Sequence, residues 1–375
     1  MSTSEYSMSN QEQNRPVKFA YVGCGFVAQN IHIPNFKSLR ECEFVALAEA
    51  RPGLGQQVAE YYGIPRVYAS HEDIAADREI EAVGVSGPYA LQGAIAEDLL
   101  RAGKHVFMEK PMAVSVARAQ GIVDAEQKSG KRLMVGYMKR YDPGNVLLKS
   151  IADEWRATGE VGPVVFARNH GFGGNWVYAQ DPNVKIFAGP EGVAPPPAPD
   201  ECPAWLPDAW KNAYLGYLQQ WTHNLNLLRF FLDDTAGTAR VVDVHLNDDG
   251  MTGLSIFNIN GTRAIVESAY LGFHAWEEHT QLYFQGGWLR TEAPPLMQKN
   301  TPATVEVYRS AHNGRAPRQT QHFASPQWAY REEARHFLSR VQSGEPFHSS
   351  ARDTLTDVRL FEEIYRHFLA GRSEL

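Results

Sequence analysis

VKFAYVGCGFVAQN, residues 17–30, is the stretch whose reading decides the fold. Val17–Val22 is a short apolar run that stops at a glycine, the pattern of a strand buried on both faces of a parallel sheet. Gly23, Gly25 and Ala28 then stand in G-x-G-x-x-A spacing, with Phe26 and Val27 inside the motif, and a helix-like segment begins there. The first glycine permits the tight turn out of the strand, and the second lets the backbone approach a pyrophosphate. The alanine allows close helix–strand packing. The helix N-terminus contributes unpaired N–H groups and the positive end of a dipole. Glycine pairs after strands are common, so the motif takes its force from its surroundings.

A second apolar run, Phe44–Ala48, ends in Glu49, where dinucleotide-binding folds put an acid on the adenosine ribose hydroxyls. The alternative is a plain surface residue at a strand end. Arg51 could instead meet a 2′-phosphate, so the pair favours NAD, with NADP the weaker alternative. Ala82–Val85, His105–Met108 and Leu133–Val135 read as further strands, separated by helical stretches such as Ala94–Ala102 and Val116–Lys128. Strand and helix alternating through short loops imply a doubly wound parallel sheet. The run at 105–108 leads straight into Glu109-Lys110-Pro111. Ligands of open α/β sheets sit beyond the carboxyl ends of strands, which puts Lys110 at the cofactor cleft. A lysine there can hold a substrate hydroxyl and stabilise negative charge on its oxygen. An ordinary surface lysine before a turn-forming proline fits the same letters.

The whole chain, 375 residues, exceeds one ordinary core and is expected to divide into two domains. With 43% hydrophobic and 21% charged residues it has the composition of a soluble globular protein. Its net charge of -7 argues against nucleic acid or an anionic membrane as partner. Cys24, Cys42 and Cys202 form no CxxC pair, which suits a reducing compartment and a cytoplasmic location. Residues 1–15 are polar and read as a disordered tail rather than a signal peptide. No window approaches 18 continuous apolar residues, so no membrane span is expected, and the sequon at Asn260 carries no weight.

The second half is strand-rich. Val164–His170, Arg240–Leu246, Ala264–Tyr270, His279–Phe284 and Thr304–Tyr308 carry β-branched and aromatic residues, partly in alternation, with turn-like Gly261, Gly286-Gly287 and Asn313-Gly314 between runs. Gly171 to Trp210 is a long Pro- and Gly-rich insertion, and such a loop inside a domain is often functional. Trp176, Tyr178, Trp205 and Trp210 are rings of the kind that stack on sugar faces, or that pack the loop on its own domain. HAWEEH at 274–279 has neither HExxH nor HxxEH spacing and lies in strand-like sequence, so no metal site is expected. Pro326–Val341 and Ser350–Ala370 read as amphipathic helices with ordinary ion-pair spacings and a structural role.

GCGFVA at 23–28, GKHVFMEKPMA at 103–113, VGYMKRYDP at 135–143, THNLNLLRFFL at 222–232 and DTLTDVRLFEEIYRHFLAGR at 353–372 together resemble the Gfo/Idh/MocA family of oxidoreductases. The resemblance implies an α/β chain: an N-terminal Rossmann domain over residues 16–140, and a C-terminal α/β domain with a large, mostly antiparallel sheet over 141–375. It implies a homo-oligomer joined through that sheet, and NAD(P)-dependent oxidation or reduction of sugars and polyols. Gly23, Gly25, Phe26, Val27, Ala28, Glu49, Arg51, Pro88, Glu109 and Lys110 are the expected cofactor contacts. The family's chemistry uses the lysine of EKP, here Lys110, with an Asp-x-x-x-His pair, here His223. The chain departs from the pattern at Gln219, where the acid of that pair is expected, at Asn226, where a second acid is common, and at Tyr89 and Gln92.

On a helix, Leu218, Trp221, Leu225, Leu228 and Leu232 form one apolar stripe, and Gln219, His223 and Asn226 fall together on roughly the opposite side. Trp221, Leu227 and Phe230 leave little of this helix free for solvent, so the polar seam suggests a buried helix facing a polar cleft. Gln219, one turn before His223, is the expected orienting group, and an amide would leave the imidazole less basic than a carboxylate would. The expected catalytic pair is Lys110 and His223. Lys110, Arg140, Tyr141, Arg168, His170, Gln219 and His223 are the expected substrate contacts, and the substrate class is a sugar, polyol or glycoside. The alternative is redox-assisted glycoside cleavage, in which the sugar is oxidised transiently and NAD is recycled.

Overall fold

Strand β1 (Val17–Val22) is the middle of the first sheet because all but one of its side chains are buried and both its edges are paired. It lies between β2 (Cys42–Ala48) and β4 (Ala82–Val85); β3 (Arg66–Tyr68), β5 (His105–Glu109) and β6 (Leu133–Gly136) complete a six-stranded sheet of order β3-β2-β1-β4-β5-β6. Every pairing in it is parallel. This is the doubly wound order whose direction reverses between β1 and β4, and ligands bind outside the carboxyl ends of strands at such a point. The computed structural model describes residues 15–177, 186–191, 202–272, 276–311 and 315–372, so residues 1–14 of the polar tail lie outside it.

The described chain forms two units. One takes 15–136, 186–191 and 330–355, and the other takes the rest. A single division near residue 140 therefore misses two returning segments. Helix Ala329–Ser343 comes back because it is greasy on one side: the Phe337 ring meets Phe19, Phe36 and Phe107 at centroid distances of 6.3, 6.1 and 5.8 Å. Burying such a ring stabilises by about 1.5–3 kcal/mol, more than an exposed ion pair offers. The next turn seals the sheet edge, where Val135 N–H donates to Ser349 O at 2.9 Å and Ser349 Oγ donates back to Val135 O at 2.6 Å.

The second unit is built on an eight-stranded sheet of order β14-β13-β12-β11-β7-β10-β9-β8. Its strands are β7 (Val164–Gly173), β8 (Arg240–Leu246), β9 (Gly253–Ile259), β10 (Thr262–Tyr270), β11 (Glu277–Phe284), β12 (Gly287–Glu292), β13 (Thr304–Arg309) and β14 (Arg318–His322). All neighbours are antiparallel except β7 and β10. Helix Lys211–Phe231, the histidine helix, lies on β7: Trp221 Nε1 donates to Gly171 O at 2.7 Å and Asn224 Nδ2 to Asn169 Oδ1 at 2.6 Å. Four strands escaped the sequence reading for local reasons. β3 has three residues, β9 starts on a glycine with polar residues inside it, β12 follows its turn glycine directly, and β14 (RQTQH) is exposed throughout. No helix among the described residues is long and apolar enough to cross a membrane.

Gly23 is the position on which the first sheet turns. Its φ is +94°, and a Cβ there would lie 2.0 Å from Ser86 O, at the end of β4. Gly23→Ala is expected to destabilise the protein by more than the roughly 1–2 kcal/mol of a left-handed alanine, because a backbone oxygen must also move; chemical denaturation measures it.

Candidate active site

In the first unit, the turn after β1 is shaped as its letters imply. Ala28 is fully buried and Gln29 N–H donates to Gly25 O at 3.0 Å, starting a π-helical turn, Ala28–His32, that runs into helix Ile33–Lys37. A Cβ on Gly25 or on Gly87 would meet nothing within 4 Å. Two stretches of bare backbone thus open at the sheet's switch point, Gly25 ahead of half-buried Phe26 and Val27, and Gly87 ahead of Pro88. That cradle fits a dinucleotide pyrophosphate. Glu49 ends β2 and is 7% exposed; Oε2 accepts Cys24 N–H at 2.8 Å, and Arg51 forks onto the carboxylate at 2.8 and 3.1 Å. Burial alone would raise the Glu49 carboxyl, but the hydrogen bonds from Arg51 and the Cys24 backbone outweigh it and hold the group below its ordinary value. It is an anion at neutral pH, fit to accept from ribose hydroxyls.

Lys110 stands half-buried at the carboxyl end of β5, and its main chain is gripped from several sides. Glu109 Oε2 accepts Lys110 N–H at 3.0 Å while Glu109 Oε1 meets His32 Nε2 at 2.6 Å. Gln92, which is 1% exposed, donates through Nε2 to both Glu109 O (2.9 Å) and Pro111 O (2.8 Å). The departure at Gln92 therefore has a physical use: one amide clamps the peptide run that carries the lysine. Behind the clamp lies Glu333, fully buried, with neither carboxylate oxygen hydrogen-bonded. Ligand atoms of His32, Glu109 and Glu333 lie within 4.8 Å of one another. Burial lifts the Glu333 carboxyl well above its ordinary value and the neighbouring Glu109 lifts it further, so Glu333 carries a proton. The sequence showed Glu333 only as one acid in a charged helix.

In the second unit, residues 221–229 of the histidine helix are all buried, as a greasy helix with one polar seam implies. His223 is 8% exposed, and the Tyr137 ring stands edge-on to it at 6.0 Å; Tyr137 OH and Thr222 Oγ1 are 2.7 Å apart. Gln219, the expected orienting group, is exposed. The acid in this region comes from elsewhere in the chain. Asn226 Nδ2 donates to Asp357 Oδ2 at 2.6 Å, and Asn226 Oδ1 accepts from Arg140 Nε at 2.6 Å. Asp357 also accepts from Arg229 Nη1 at 2.7 Å, and Arg229 Nε reaches Asp234 at 2.8 Å. Two guanidiniums and two carboxylates alternate around one amide, all buried. An aspartate at 226 would face the Asp357 carboxylate at hydrogen-bond distance.

The other expected contacts fall in different places. Arg140 is 3% exposed, bonded to Asn226 and laid over the Phe230 ring at 5.5 Å, so it braces the helix. Tyr141 is 5% exposed in the 3-10 turn Met138–Tyr141. Arg168 and His170 do not share the His223 side of the sheet. A Cβ on Gly171 would lie 2.4 Å from Asn224 Nδ2, so alternation along β7 turns 169 and 171 toward the histidine helix and 168 and 170 away from it. Both are bonded there to Glu267 Oε2, at 2.6 and 2.8 Å. Trp205 and Trp210 pack on the C-terminal helix: Trp205 Nε1 donates to Glu362 at 3.1 Å, and the Trp210 ring meets Phe368 at 5.0 Å. Trp176 is half-buried, while Tyr178, His274, Asn313 and Gly314 lie outside the described residues. Sequence reasoning also missed the buried pair of Lys139 with Glu278, whose only signal was a lysine beside Arg140.

Residues 17–137 match the family model for an oxidoreductase family with an NAD-binding Rossmann fold. This domain belongs to the Gfo/Idh/MocA family. An inositol 2-dehydrogenase of Salmonella typhimurium is 34% identical over 149 residues, 39% of this chain and 43% of that protein, so the alignment spans less than half of the relative. An inositol 2-dehydrogenase of Rhizobium meliloti is 22% identical over 358 residues, 93% of this chain and 96% of that protein. A 3-ketoreductase of Actinomadura kijaniata, solved with NADP and TDP-benzene, shares the fold at a TM-score of 0.69 and 18% identity, covering 94% of this chain and 98% of that one. The fold, a parallel Rossmann sheet with a larger, mostly antiparallel sheet, is thus shared with that structure over 94% of this chain.

Two stability predictions follow from the buried charges. The folded-state Glu333 carboxyl is raised, so its contribution is most favourable below the unfolded carboxyl range and is lost as pH rises above it, by at most about 1.4 kcal/mol per pH unit. Glu333→Gln should therefore gain stability relative to the native protein on moving from pH 5 to pH 8, measured by urea denaturation at each pH. Asn226→Asp should cost at least about 1–3 kcal/mol at pH 7, since it removes a donor and opposes two carboxylates; the loss should shrink at low pH as the pair takes up a proton.

Proposed function

We propose that the protein is an NAD-dependent oxidoreductase that moves a hydride between a hydroxyl-bearing carbon of a sugar, polyol or glycoside and the nicotinamide. The observation that carries this reading is the placing of Lys110, fixed by Glu109 and Gln92 at the end of β5, in the same unit as the open glycine turn at Gly25. A cofactor-binding module that did no chemistry would have no use for a cation held so firmly at that strand end. Gly23, Gly25 and Ala28 would hold the pyrophosphate, with Phe26, Val27 and Pro88 beside it, and Glu49 would take the adenosine ribose. The bound nicotinamide supplies a hydride acceptor or donor.

The protein's own share is proton and charge management. Lys110 donates to the substrate oxygen and stabilises the negative charge that grows on it as the C–H bond breaks. His223 takes the hydroxyl proton in oxidation and returns it in reduction, and it is the one residue on the polar seam of its helix whose side chain can take up and release a proton. Tyr137 stands edge-on to the imidazole and meets Thr222 Oγ1, while Asp357 reaches this helix through Asn226 and Arg229. Gln219 is an exposed amide and contributes no more than one neutral hydrogen bond, about 0.5–1.5 kcal/mol.

The test is steady-state kinetics on inositols, aldoses and their glycosides. His223→Ala and Lys110→Ala should each lower kcat by roughly 10²–10⁴-fold, with NAD still bound by calorimetry, whereas Gln219→Ala should cost less than about tenfold. A His223→Ala variant within a few-fold of the native enzyme at its pH optimum would remove the histidine from the chemistry.

A further inference from the structure

The insertion between β7 and the histidine helix has a described segment, 186–191, that belongs to the dinucleotide-binding unit rather than to the sheet it interrupts. It is fastened there at three points. Phe187 N–H donates to Gln29 Oε1 at 2.8 Å, and Gln29 Nε2 donates back to Phe187 O at 2.9 Å. Gln29 follows the last residue of the glycine motif, and its Nε2 also reaches Cys24 O inside that motif at 2.7 Å. The Phe187 ring meets Tyr61 edge-on at 5.4 Å. Glu191 Oε1 accepts Gly53 N–H at 2.6 Å, on the first turn of helix Pro52–Tyr62, where an anion is favoured by free N–H groups and the dipole. Gly53 leaves the room: a Cβ there would lie 2.5 Å from Pro190 Cγ and 2.7 Å from Glu191 Oε1.

This helix opens just after Glu49, which would take the adenosine ribose, and Arg51, the residue that could meet a 2′-phosphate. A 2′-phosphate is accommodated in such folds by a nearby arginine and the helix N-terminus. Here the arginine is forked onto Glu49, the N-terminus is occupied by Glu191, and Glu191 also attracts Arg51. Two carboxylates face one guanidinium before any phosphate arrives. We propose that Glu191 is a determinant of dinucleotide specificity: its carboxylate, seated at the N-terminus of helix Pro52–Tyr62, excludes a 2′-phosphate and so sets NAD above NADP. This rests on the NAD reading of the site and adds to it a residue some 140 positions away in sequence, supplied by the insertion.

The experiment is equilibrium binding of NAD and NADP to the full-length protein, by calorimetry, without substrate. Glu191→Gln keeps an oxygen for Gly53 N–H and removes only the charge. It should tighten NADP relative to NAD by roughly tenfold or more, the size of a relieved like-charge contact, with NAD affinity changed by no more than about threefold. Gly53→Ala keeps both carboxylates but pushes residues 190–191 away, and it should shift the ratio in the same direction. The native preference should also narrow as salt is raised, since exposed charges are screened. If the native protein binds NADP more tightly than NAD, the cofactor reading itself falls and this inference with it. If the native protein prefers NAD and both variants leave the ratio within twofold, Glu191 has no part in the choice and only this inference is overturned.

Discussion

The site depends first on the grip that fixes the peptide run Glu109–Pro111. A lysine side chain has several free torsions, and it can meet a substrate oxygen reproducibly only if its Cα is fixed. The Glu109 carboxylate holds the Lys110 N–H from one side, His32 holds that carboxylate, and Gln92 ties the carbonyls on both sides of the lysine. Each is a single hydrogen bond worth about 1 kcal/mol net, but together they leave the strand end one conformation. Glu333 lies behind the arrangement on a helix more than 200 residues later in the chain, one that Phe337 draws back to the first unit. Held in its protonated form, it brings no negative charge into the pocket.

The second unit solves a related problem differently. The histidine helix has no carboxylate of its own from Lys211 to Phe231, yet the side chains around it are strongly charged. Arg140, Asp357, Arg229 and Asp234 are all buried, and their alternation leaves each with an opposite neighbour directly or through Asn226. Removing one member would strand a buried charge, at about 3–5 kcal/mol. Asp357, on the C-terminal helix, braces the histidine helix through Asn226 and Arg229.

Much of this was legible in the letters. β1, β4 and β8 lie within the ranges their apolar runs marked, and G-x-G-x-x-A forced the turn it signals because Gly23 has no room for a Cβ. The histidine seam was also legible, since Asn226 and His223 fall on one side of a helix at its natural period. What could not be read was any contact made across long sequence separation. Nothing local tells that Gln92 will clamp a proline run, that Glu333 will lie behind Glu109, or that Trp205 and Trp210 will be taken up by the C-terminal helix. Arg168 and His170 show a subtler limit: the strand was seen, but alternation gives two faces, and only Asn224 decides which one the helix covers.

The central claim is that a hydride leaves a substrate carbon for the nicotinamide. It is tested most directly by isotope transfer. The native protein, saturated with NAD, is incubated with a panel of inositols, aldoses and glycosides carrying deuterium on carbon, and the dinucleotide is recovered and analysed by mass spectrometry. The account predicts reduced dinucleotide carrying one deuterium with at least one member of the panel, and no such label with the Lys110→Ala variant. A fully loaded native protein that transfers deuterium from none of them would contradict it.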